Sequence, residues 1–487
     1  MRKKIYYYII FLLSAYVISC SDDGPGSDGN PDGPNPIPTD ELVFPKKEMR
    51  AVWITTAWGL DWPMTQYGVE AQKNQYIQYL DKFKELNINT VIFQVKPMGD
   101  AFYNSPYEPW SLSITGIRGK DPGYDVLQFL IEETHKRDME FHAWMNPYRI
   151  ATRANNGTAY PTLHASVKPE WVVSHEKIQI YNPALPEVRQ RLADIVKDLI
   201  TKYDVDGIHF DDYFYPDPSS AGAMVSDVSD YQKYGTAYSS IEDFRRANVD
   251  IAIKDVHGVI ATNKPEIVFT VSPAADPKYS LNTLFADVAK WCKEGWIDVV
   301  MPQLYQEIGN SSNDFQERLN WWTQYNHTAV PMIGHALYKF GDGTSPSAFQ
   351  STLELQRQFD LSRRNKKVMG NAMYSGRFIL SNPIGITNKL AEIYKTPAVI
   401  PFLGREVAPA PTKPQNVKIE NGQLTWNKQG NVRSVIYHFP DIKKEGIVLS
   451  ITDQTSFPIT AKGYYCVTNI NTDNKESDPS EIVKNGI

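Results

Sequence analysis

Three carboxylates lie in one short, otherwise apolar segment near the middle of the chain, DGIHFDDYFYP, residues 206–216. A carboxylate beside Phe, Ile and Tyr is costly to bury unless it is paired, hydrogen-bonded or used in a reaction. Two carboxyls can divide the work of cleaving a glycosidic bond, because one protonates the leaving oxygen and the other acts as nucleophile or activates water. The segment therefore predicts acid–base catalysis, with Asp211 and Asp212 as the first candidates.

Strand alternation separates these carboxylates. If residues 205–210 form a strand, His209 and Asp211 lie on one face, because successive side chains point to opposite faces. Asp211 is then the last inward residue, and Asp212 begins the following loop. Asp206 lies at the other end, where we expect a structural role.

Two other uses of Asp211 stay open. His209 and Asp211 on one face would suit a divalent metal, but the remaining histidines have no diagnostic spacing. Asp211 could instead pair with Arg149 or Lys96 in a buried network. We expect neither a metal nor a cofactor.

Eight short apolar runs alternate with segments of helical periodicity, the clearest of which are residues 75–86, 124–137 and 186–203. This alternation predicts a parallel sheet, and eight units over about 330 residues predict a closed (β/α)8 TIM barrel. An open doubly wound sheet is the alternative, but no run is followed by a Gly-rich phosphate turn. The runs are residues 49–54, 89–96, 140–145, 205–210, 266–272, 297–303, 329–335 and 367–374.

The active site of a TIM barrel lies at the C-terminal ends of its strands. Parity within the second run places Gln94 and Lys96 together on the inner face. Glu307, which follows the sixth run, is a further candidate catalytic carboxyl and a possible partner of Asp211, as is Asp212. Polar and aromatic residues at the run ends are candidate substrate-binding groups: Gln94, Lys96, Asn146, Tyr148, Arg149, Tyr213, Gln303, Tyr305 and His335.

Carboxylates, amides and aromatic rings together are typical of a sugar site, because the C–H faces of sugar rings are apolar and stack on aromatic groups. The chain contains 11 Trp and 28 Tyr, of which ordinary core packing accounts for most. Its net charge of −6 argues against a nucleic-acid partner.

The N-terminal residues 1–20 have the basic start and the apolar stretch of a secretory signal. The signal ends in Val-Ile-Ser-Cys, which resembles a lipobox and predicts lipidation of Cys20. Residues 21–43 are rich in Gly, Pro, Ser and Asp and predict a flexible tether. We therefore expect an outer-membrane lipoprotein of a Gram-negative bacterium, held at the membrane through Cys20 and facing either the periplasm or the outside.

A Pro-rich stretch, residues 396–415, ends the barrel pattern, and we place the barrel at residues 44–400 and a second domain at 401–487. The second domain begins with two short strands around an Asn-Gly turn, the later of which contains Trp426. Together with Tyr464 and Tyr465 on a late strand, it resembles a fibronectin type III-like sandwich. Glycan binding and a spacer or cap are both open roles for it.

Five motifs resemble the glycosyl hydrolase-like 10 family over about residues 46–380: MRAVWITTAWGLDWP, NTVIFQVKPMGDAFYNS, HAWMNPYR, DGIHFDDYFYP and DVVMPQLYQ. The resemblance implies a bacterial envelope protein with a TIM barrel that cleaves peptidoglycan glycan strands, particularly strands without stem peptides. In chitinase-like barrels a Glu follows two residues after the last Asp of the corresponding strand. Here that position is Tyr213, so Asp211 and Asp212 remain the carboxylates to test.

These patterns together predict a lipid-anchored glycoside hydrolase that acts on a cell-envelope glycan, with peptidoglycan as the expected substrate. Two alternatives remain at this stage. One is a surface enzyme that degrades external polysaccharides, and the other is a non-catalytic glycan-binding lipoprotein.

Overall fold

A computed structural model describes residues 39–153, 158–175, 177–324, 328–403 and 408–486. The predicted signal, Cys20 and most of the predicted tether lie outside these residues. The last predicted tether residues are described, and Leu42 is buried there with Phe44 against the C-terminal β-sheet. None of the helices within the described ranges has the length and apolar character needed to span a bilayer.

Eight parallel strands form a closed ring, which confirms the predicted (β/α)8 barrel. Each strand pairs with the next, and the last pairs with both the first and the seventh. The seventh strand is in two pieces around Met332, because Pro331 has no N–H to donate. The strands are β1 Met49–Ile54, β2 Thr90–Lys96, β3 Glu140–Met145, β4 Gly207–Phe210, β5 Val268–Val271, β6 Val299–Val300, β7 Val330–Pro331 with Ile333–Ala336, and β8 Gly370–Tyr374.

Helices cover the outside of the barrel. In the helix Pro186–Lys202 the apolar residues at helical spacing, such as Val188, Leu192 and Leu199, are all buried, as predicted. The principal helices are Val69–Glu85, Val126–His135, Pro186–Lys202, Ile241–Asn263, Val288–Lys293, Phe315–Gln324, Thr352–Arg364 and Ile386–Ile393. Shorter helices are Leu112–Thr115, Pro218–Ala221, Val228–Tyr234, Pro277–Asn282 and Gly376–Ser381.

Strand alternation gives the barrel two cores. Residues such as Trp53, Ile92 and Trp144 fill the lumen, whereas Ile208 and Phe210 pack outward against the helices. A three-stranded antiparallel sheet follows β3 and consists of Arg149–Thr152, Val172–His175 and Ile178–Tyr181.

Two small antiparallel sheets make up the C-terminal region. One contains Gln415–Glu420, Gln423–Asn427 and Ser456–Pro458, and the other contains Arg433–Phe439, Ile447–Thr452, Gly463–Ile470 and Val483–Asn485. Asn421 and Gly422 form the predicted turn, with φ angles of 51° and 73°. Trp426 and Tyr465 belong to one buried cluster that draws on both sheets.

The C-terminal sheets attach to the N-terminal ends of the barrel strands. Asn474 Nδ2 donates to Glu140 Oε1 at 2.6 Å, and Lys47 forms an ion pair of 2.7 Å with Glu476. Glu140 is the first residue of β3. A cavity of about 530 Å³ lies in this region, lined among others by Asp206 and Arg433. The second β-region is therefore at the opposite end of the barrel from Asp211.

Candidate active site

Asp211 lies immediately after β4 and is 2% exposed. Its carboxylate accepts hydrogen bonds from three groups: Trp144 Nε1 at 2.9 Å, Asn146 Nδ2 at 3.1 Å and the Tyr213 backbone N–H at 3.3 Å. Desolvation raises its pKa, while the nearby Arg149 guanidinium and these hydrogen bonds oppose the rise. Residues from the neighbouring strand end therefore hold Asp211 in a single orientation.

Asp212 is the carboxylate that faces open space. It lines a cavity of about 410 Å³ at the C-terminal end of the barrel, together with groups from the loops after β5, β6 and β7. Desolvation by the surrounding protein and the charge of Asp211 raise its pKa to about 7, against a hydrogen bond from the Gln303 side chain. A carboxyl with this pKa is partly protonated at neutral pH, which suits a general acid.

Aromatic residues line the same cavity. Tyr305 and Tyr338 are cavity residues, and the Tyr305 ring stacks on Tyr374 with centroids 6.1 Å apart and an interplanar angle of 25°. Tyr279 also lines it. Of the candidate substrate-binding residues, Gln303 and Tyr305 therefore lie in the same cavity as Asp212. Gln303 Nε2 also donates to the Ser272 carbonyl at 2.9 Å, which fixes the amide.

Arg149 follows β3, which flanks β4 on the side opposite β5, whereas the cavity is lined from the loops after β4 to β7. Its Nε and Nη2 donate to the Pro97 carbonyl at 3.2 and 3.0 Å, and its backbone N–H donates to Asn146 Oδ1 at 2.7 Å. The guanidinium carbon is 4.7 Å from the centre of the Tyr213 ring. Arg149, Asn146 and Tyr213 are thus brought together around Asp211, as the sequence predicted for the strand ends.

The side chains of Gln94 and Lys96 lie on different faces of β2. Gln94 is inward, and its Oε1 accepts from Thr55 Oγ1, Thr56 N and Ala57 N, so it anchors the loop after β1. The pairing of β2 with β3 shifts register between Gln94 and Lys96, and Lys96 pairs with the outward-facing Met145.

The prediction that Lys96 shares the lumen face is therefore wrong, because this bulge reverses the parity. Its ammonium is fully buried, donates to the Met98 carbonyl at 2.9 Å and lies 3.9 Å from Glu108.

Tyr148 and His335 also lie away from the cavity. Tyr148 is buried in the outer core. His335 stacks on Phe359 with centroids 4.4 Å apart, and its ring nitrogens lie 3.2 Å from Gln358 Oε1 and 2.9 Å from Asn371 Oδ1. Both residues pack between sheet and helices, so the structure does not bring them to Asp212.

Glu307 is held within its own loop. Its Oε1 accepts from Asn310 Nδ2 at 2.9 Å, and its backbone carbonyl accepts from Asn310 N. Its neighbour Gln306 lines the cavity, whereas Glu307 is not among the cavity residues. The other carboxylate there is Asp276, whose oxygens cap a helix through Lys278 N and pair with Arg318 at 3.2 Å.

His209 has both ring nitrogens engaged. Trp53 Nε1 donates to its Nε2 at 3.2 Å, which leaves the proton on Nδ1, 2.6 Å from Thr270 Oγ1. Burial lowers its pKa well below the usual value, so the ring is neutral. Within the described ranges, no cluster of three or more His, Cys, Asp or Glu side chains is arranged to hold a metal ion.

Two cavity residues, Tyr338 and Tyr279, were not among the sequence candidates. Tyr338 lies on a short turn after β7, and Tyr279 lies in a helix after β5. Asp61, in the loop after β1, is buried and accepts from Thr55 N and Ser375 Oγ, both at 2.9 Å. Desolvation raises the pKa of Asp61 to about 6. A tyrosine after a strand carries no local signal that it will face the cavity, and the buried Asp61 is not among the cavity residues.

The protein has a TIM barrel with a partly protonated carboxyl at its C-terminal end, surrounded by aromatic rings. These are features of a glycoside hydrolase, and similarity to known proteins shows that the chain belongs to this class. The chain is 37% identical over 413 residues to the glycosyl hydrolase YngK of Bacillus subtilis, which covers 80% of each protein. It is 33% identical over 407 residues to the glycosyl hydrolase DigH of Escherichia coli K12, covering 75% of this chain and 91% of DigH.

The family model glycosyl hydrolase-like 10 matches residues 48–349, and the chain belongs to this family. Among solved structures, the glycoside hydrolase domain of PgaB (BpsB) from Bordetella bronchiseptica is similar with a TM-score of 0.47 and 14% identity. That match covers 70% of this chain and 98% of the PgaB domain.

Proposed function

We propose that this glycoside hydrolase cleaves glycosidic bonds in the glycan strands of the bacterial cell envelope, with peptidoglycan as the substrate and Asp212 as the general acid. The observation that carries the proposal is the position of Asp212. It lines an aromatic cavity at the catalytic end of the barrel, with a pKa of about 7 beside the buried Asp211.

The role of Asp211 follows from its surroundings. Its oxygens already accept hydrogen bonds from Trp144, Asn146 and the backbone of Tyr213, so it is positioned to supply a fixed negative charge. Such a charge stabilises the positive charge that develops on the sugar in the oxocarbenium-like transition state. It also raises the fraction of Asp212 that is protonated at neutral pH.

The nucleophile in this proposal is a group of the substrate itself. Among the described residues that line the cavity, the only carboxylate besides Asp212 is Asp276, which is engaged in a helix cap and an ion pair. In substrate-assisted glycosidases the 2-acetamido oxygen of the sugar attacks C1 as the acid protonates the leaving oxygen. Water, deprotonated by Asp212, then opens the resulting oxazoline and restores the acetamido group. Both sugars of peptidoglycan carry this group, and the anomeric configuration is retained.

A substrate panel tests the proposal. The enzyme is incubated with peptidoglycan strands stripped of stem peptides, chitin and several neutral polysaccharides, and products are read by mass spectrometry. We expect new reducing ends from the denuded strands, and at least about a 100-fold slower reaction for Asp212→Asn, as expected for loss of a general acid. Cleavage of only the neutral polysaccharides would favour a surface enzyme, and no product from any substrate would contradict hydrolysis.

The proposed location rests on the sequence before residue 39. The signal, Cys20 and the polar segment that follows support a lipid-anchored outer-membrane protein with the catalytic barrel beyond a tether. Metabolic labelling with a fatty-acid analogue tests it: the wild-type chain should be labelled and Cys20→Ser should not. Equal labelling of both would contradict lipidation at Cys20.

The fibronectin type III-like assignment of residues 401–487 stays a prediction, and we propose that this region is a cap that stabilises the barrel. Its contacts with Glu140 and Lys47 place it at the barrel end opposite Asp212. Removal of the region should therefore lower stability more than it lowers kcat/KM on short substrates. Unchanged stability with impaired binding of glycan would contradict the role as a cap.

A further inference from the structure

We infer that Trp58, Arg149 and Tyr213 form a sugar-binding subsite, named here the Trp58 platform, on the far side of the Asp pair from the cavity. The subsite would hold a sugar ring of the same glycan chain and make the enzyme act within chains. This inference rests on the proposed function and adds a binding site to it.

The three side chains form a layered arrangement. The Arg149 guanidinium carbon lies 5.8 Å from the centre of the Trp58 ring and 4.7 Å from the centre of the Tyr213 ring. Because Arg149 is anchored to the Pro97 carbonyl through two nitrogens, its position is fixed before any ligand arrives. The platform is therefore preorganised, which reduces the entropy lost on binding.

Trp58 has an exposed side chain and a strained backbone, and both are unfavourable for folding. Its side chain is 62% exposed, and its backbone has a φ of 54°, in the left-handed region that bulky residues rarely adopt. Tyr213 is also 45% exposed. An exposed indole on strained backbone adds nothing to the core, and such strain is found at binding and catalytic sites. A ligand that covers the ring would explain both features.

The platform and the cavity are built from the loops of different barrel strands, and the two aspartates lie between them. Trp58, Arg149 and Tyr213 follow β1, β3 and β4, whereas the cavity residues follow β4 to β7. Asp211 and Asp212 follow β4, between the two halves. A glycan chain that occupies both the cavity and the platform must cross the Asp pair, which places an internal bond at the general acid.

The chemistry of the platform fits a pyranose ring. The apolar C–H face of such a ring can stack on the exposed faces of Trp58 and Tyr213, as rings of other ligands stack on aromatic residues. Arg149 is only 6% exposed and its Nε and Nη2 bond Pro97, so Nη1 is the nitrogen that would donate to a hydroxyl, carbonyl or carboxylate oxygen of the sugar.

Calorimetric binding to the Asp212→Asn protein tests the platform, because this background leaves the ligand uncleaved. Probes are N-acetylglucosamine oligomers of two and six units and denuded peptidoglycan fragments. Adding Trp58→Ala should weaken hexasaccharide binding about tenfold, the loss typical of an aromatic anchor, and disaccharide binding less than about twofold. Leu353→Ala is the matched control, since Leu353 is also 62% exposed but lies on an outer helix.

A glycine at position 58 separates binding from folding. Trp58→Gly should lose hexasaccharide binding like the alanine variant, while its melting temperature equals or exceeds that of the parent, because glycine adopts a φ of 54° without strain. Unchanged hexasaccharide binding in both variants would overturn the inference, and so would equal losses for both oligomer lengths.

The proposed function and the platform can fail separately. If the wild-type enzyme binds the hexasaccharide through Trp58 but cleaves no envelope glycan, the proposed substrate is wrong and the platform stands. If it cleaves denuded strands and Trp58→Ala leaves kcat/KM unchanged at every chain length, the platform is wrong. Absence of binding of every probe would overturn the platform as well.

Discussion

Substitution Asp211→Asn should move the alkaline limb of the pH–activity profile to lower pH. The protonated form of Asp212 is the active one in our account, so kcat/KM falls as pH rises through its pKa of about 7. The charge of Asp211 is one of the causes that raise this pKa. Without that charge, Asp212 loses its proton at lower pH. The positive charge of Arg149, which Asp211 then no longer offsets, lowers the pKa of Asp212 as well.

The size of the shift follows from the charge separation. For two adjacent carboxylates taken to be ~7 Å apart, the repulsion at an effective dielectric constant of ~20 is ~2.4 kcal/mol. This energy corresponds to ~1.7 pH units. Because Asp212 faces an open cavity, solvent and salt reduce the effect, and we expect a shift of about one pH unit.

The assay measures kcat/KM for a soluble glycan fragment from pH 4 to 9, in pH steps small enough to resolve a shift of about half a pH unit. Asp276→Asn is the control, since Asp276 lines the same cavity but is not among the main causes of the raised pKa of Asp212. If Asp211→Asn turns over too slowly, the Asp212 carboxyl can be titrated by NMR. An alkaline limb that stays in place or moves to higher pH would refute the reasoning.

Two further predictions concern stability. Because the folded-state pKa of Asp212 is raised to about 7, the wild-type protein loses stability as pH rises from about 4 to 7, so Asp212→Asn should be more stable above pH 7 by about 1–3 kcal/mol, after allowance for partial exposure. Denaturant unfolding at pH 4 and 8 checks this, and a gain that persists at pH 4 would contradict it. Lys96→Met should lose about 2–4 kcal/mol in free energy of unfolding, because it removes one of the two buried cations beside Glu108 and the donor to the Met98 carbonyl. KM for glycan should be unchanged in the folded variant, and a raised KM at full stability would return Lys96 to the binding site.

The barrel was predictable because its signals are local and repeated. Apolar runs separated by amphipathic segments indicate strands and helices, and alternation within β4 correctly placed His209 in the lumen and Phe210 outside. The structural role of Asp206 is also confirmed, since its carboxylate accepts from Phe141 N at 2.7 Å and lies 2.8 Å from His135 Nε2.

The predictions from sequence fail where a strand departs from regular alternation of its side chains, or where pairing with a neighbouring strand sets its register. Lys96 follows a bulge that no residue type marks, so parity counted from Gln94 gave the wrong face. His335 pairs in register with the outward-facing Met373 of β8, a contact between distant parts of the sequence. Tyr338 and Tyr279 reach the cavity only through loop geometry.

The most direct test of the account is the dependence of hydrolysis on the leaving group. Aryl 2-acetamido glycosides with a good leaving group, such as 2,4-dinitrophenol, need little help from an acid, whereas those with phenol or a sugar need it fully. If Asp212 is the general acid, Asp212→Asn should keep a near wild-type kcat/KM on the first class, because kcat/KM reports the bond-breaking step, and lose at least about 100-fold in kcat/KM on the second. An equal loss on both classes, or no loss on either, would contradict the assignment of Asp212 as the acid that cleaves the glycan.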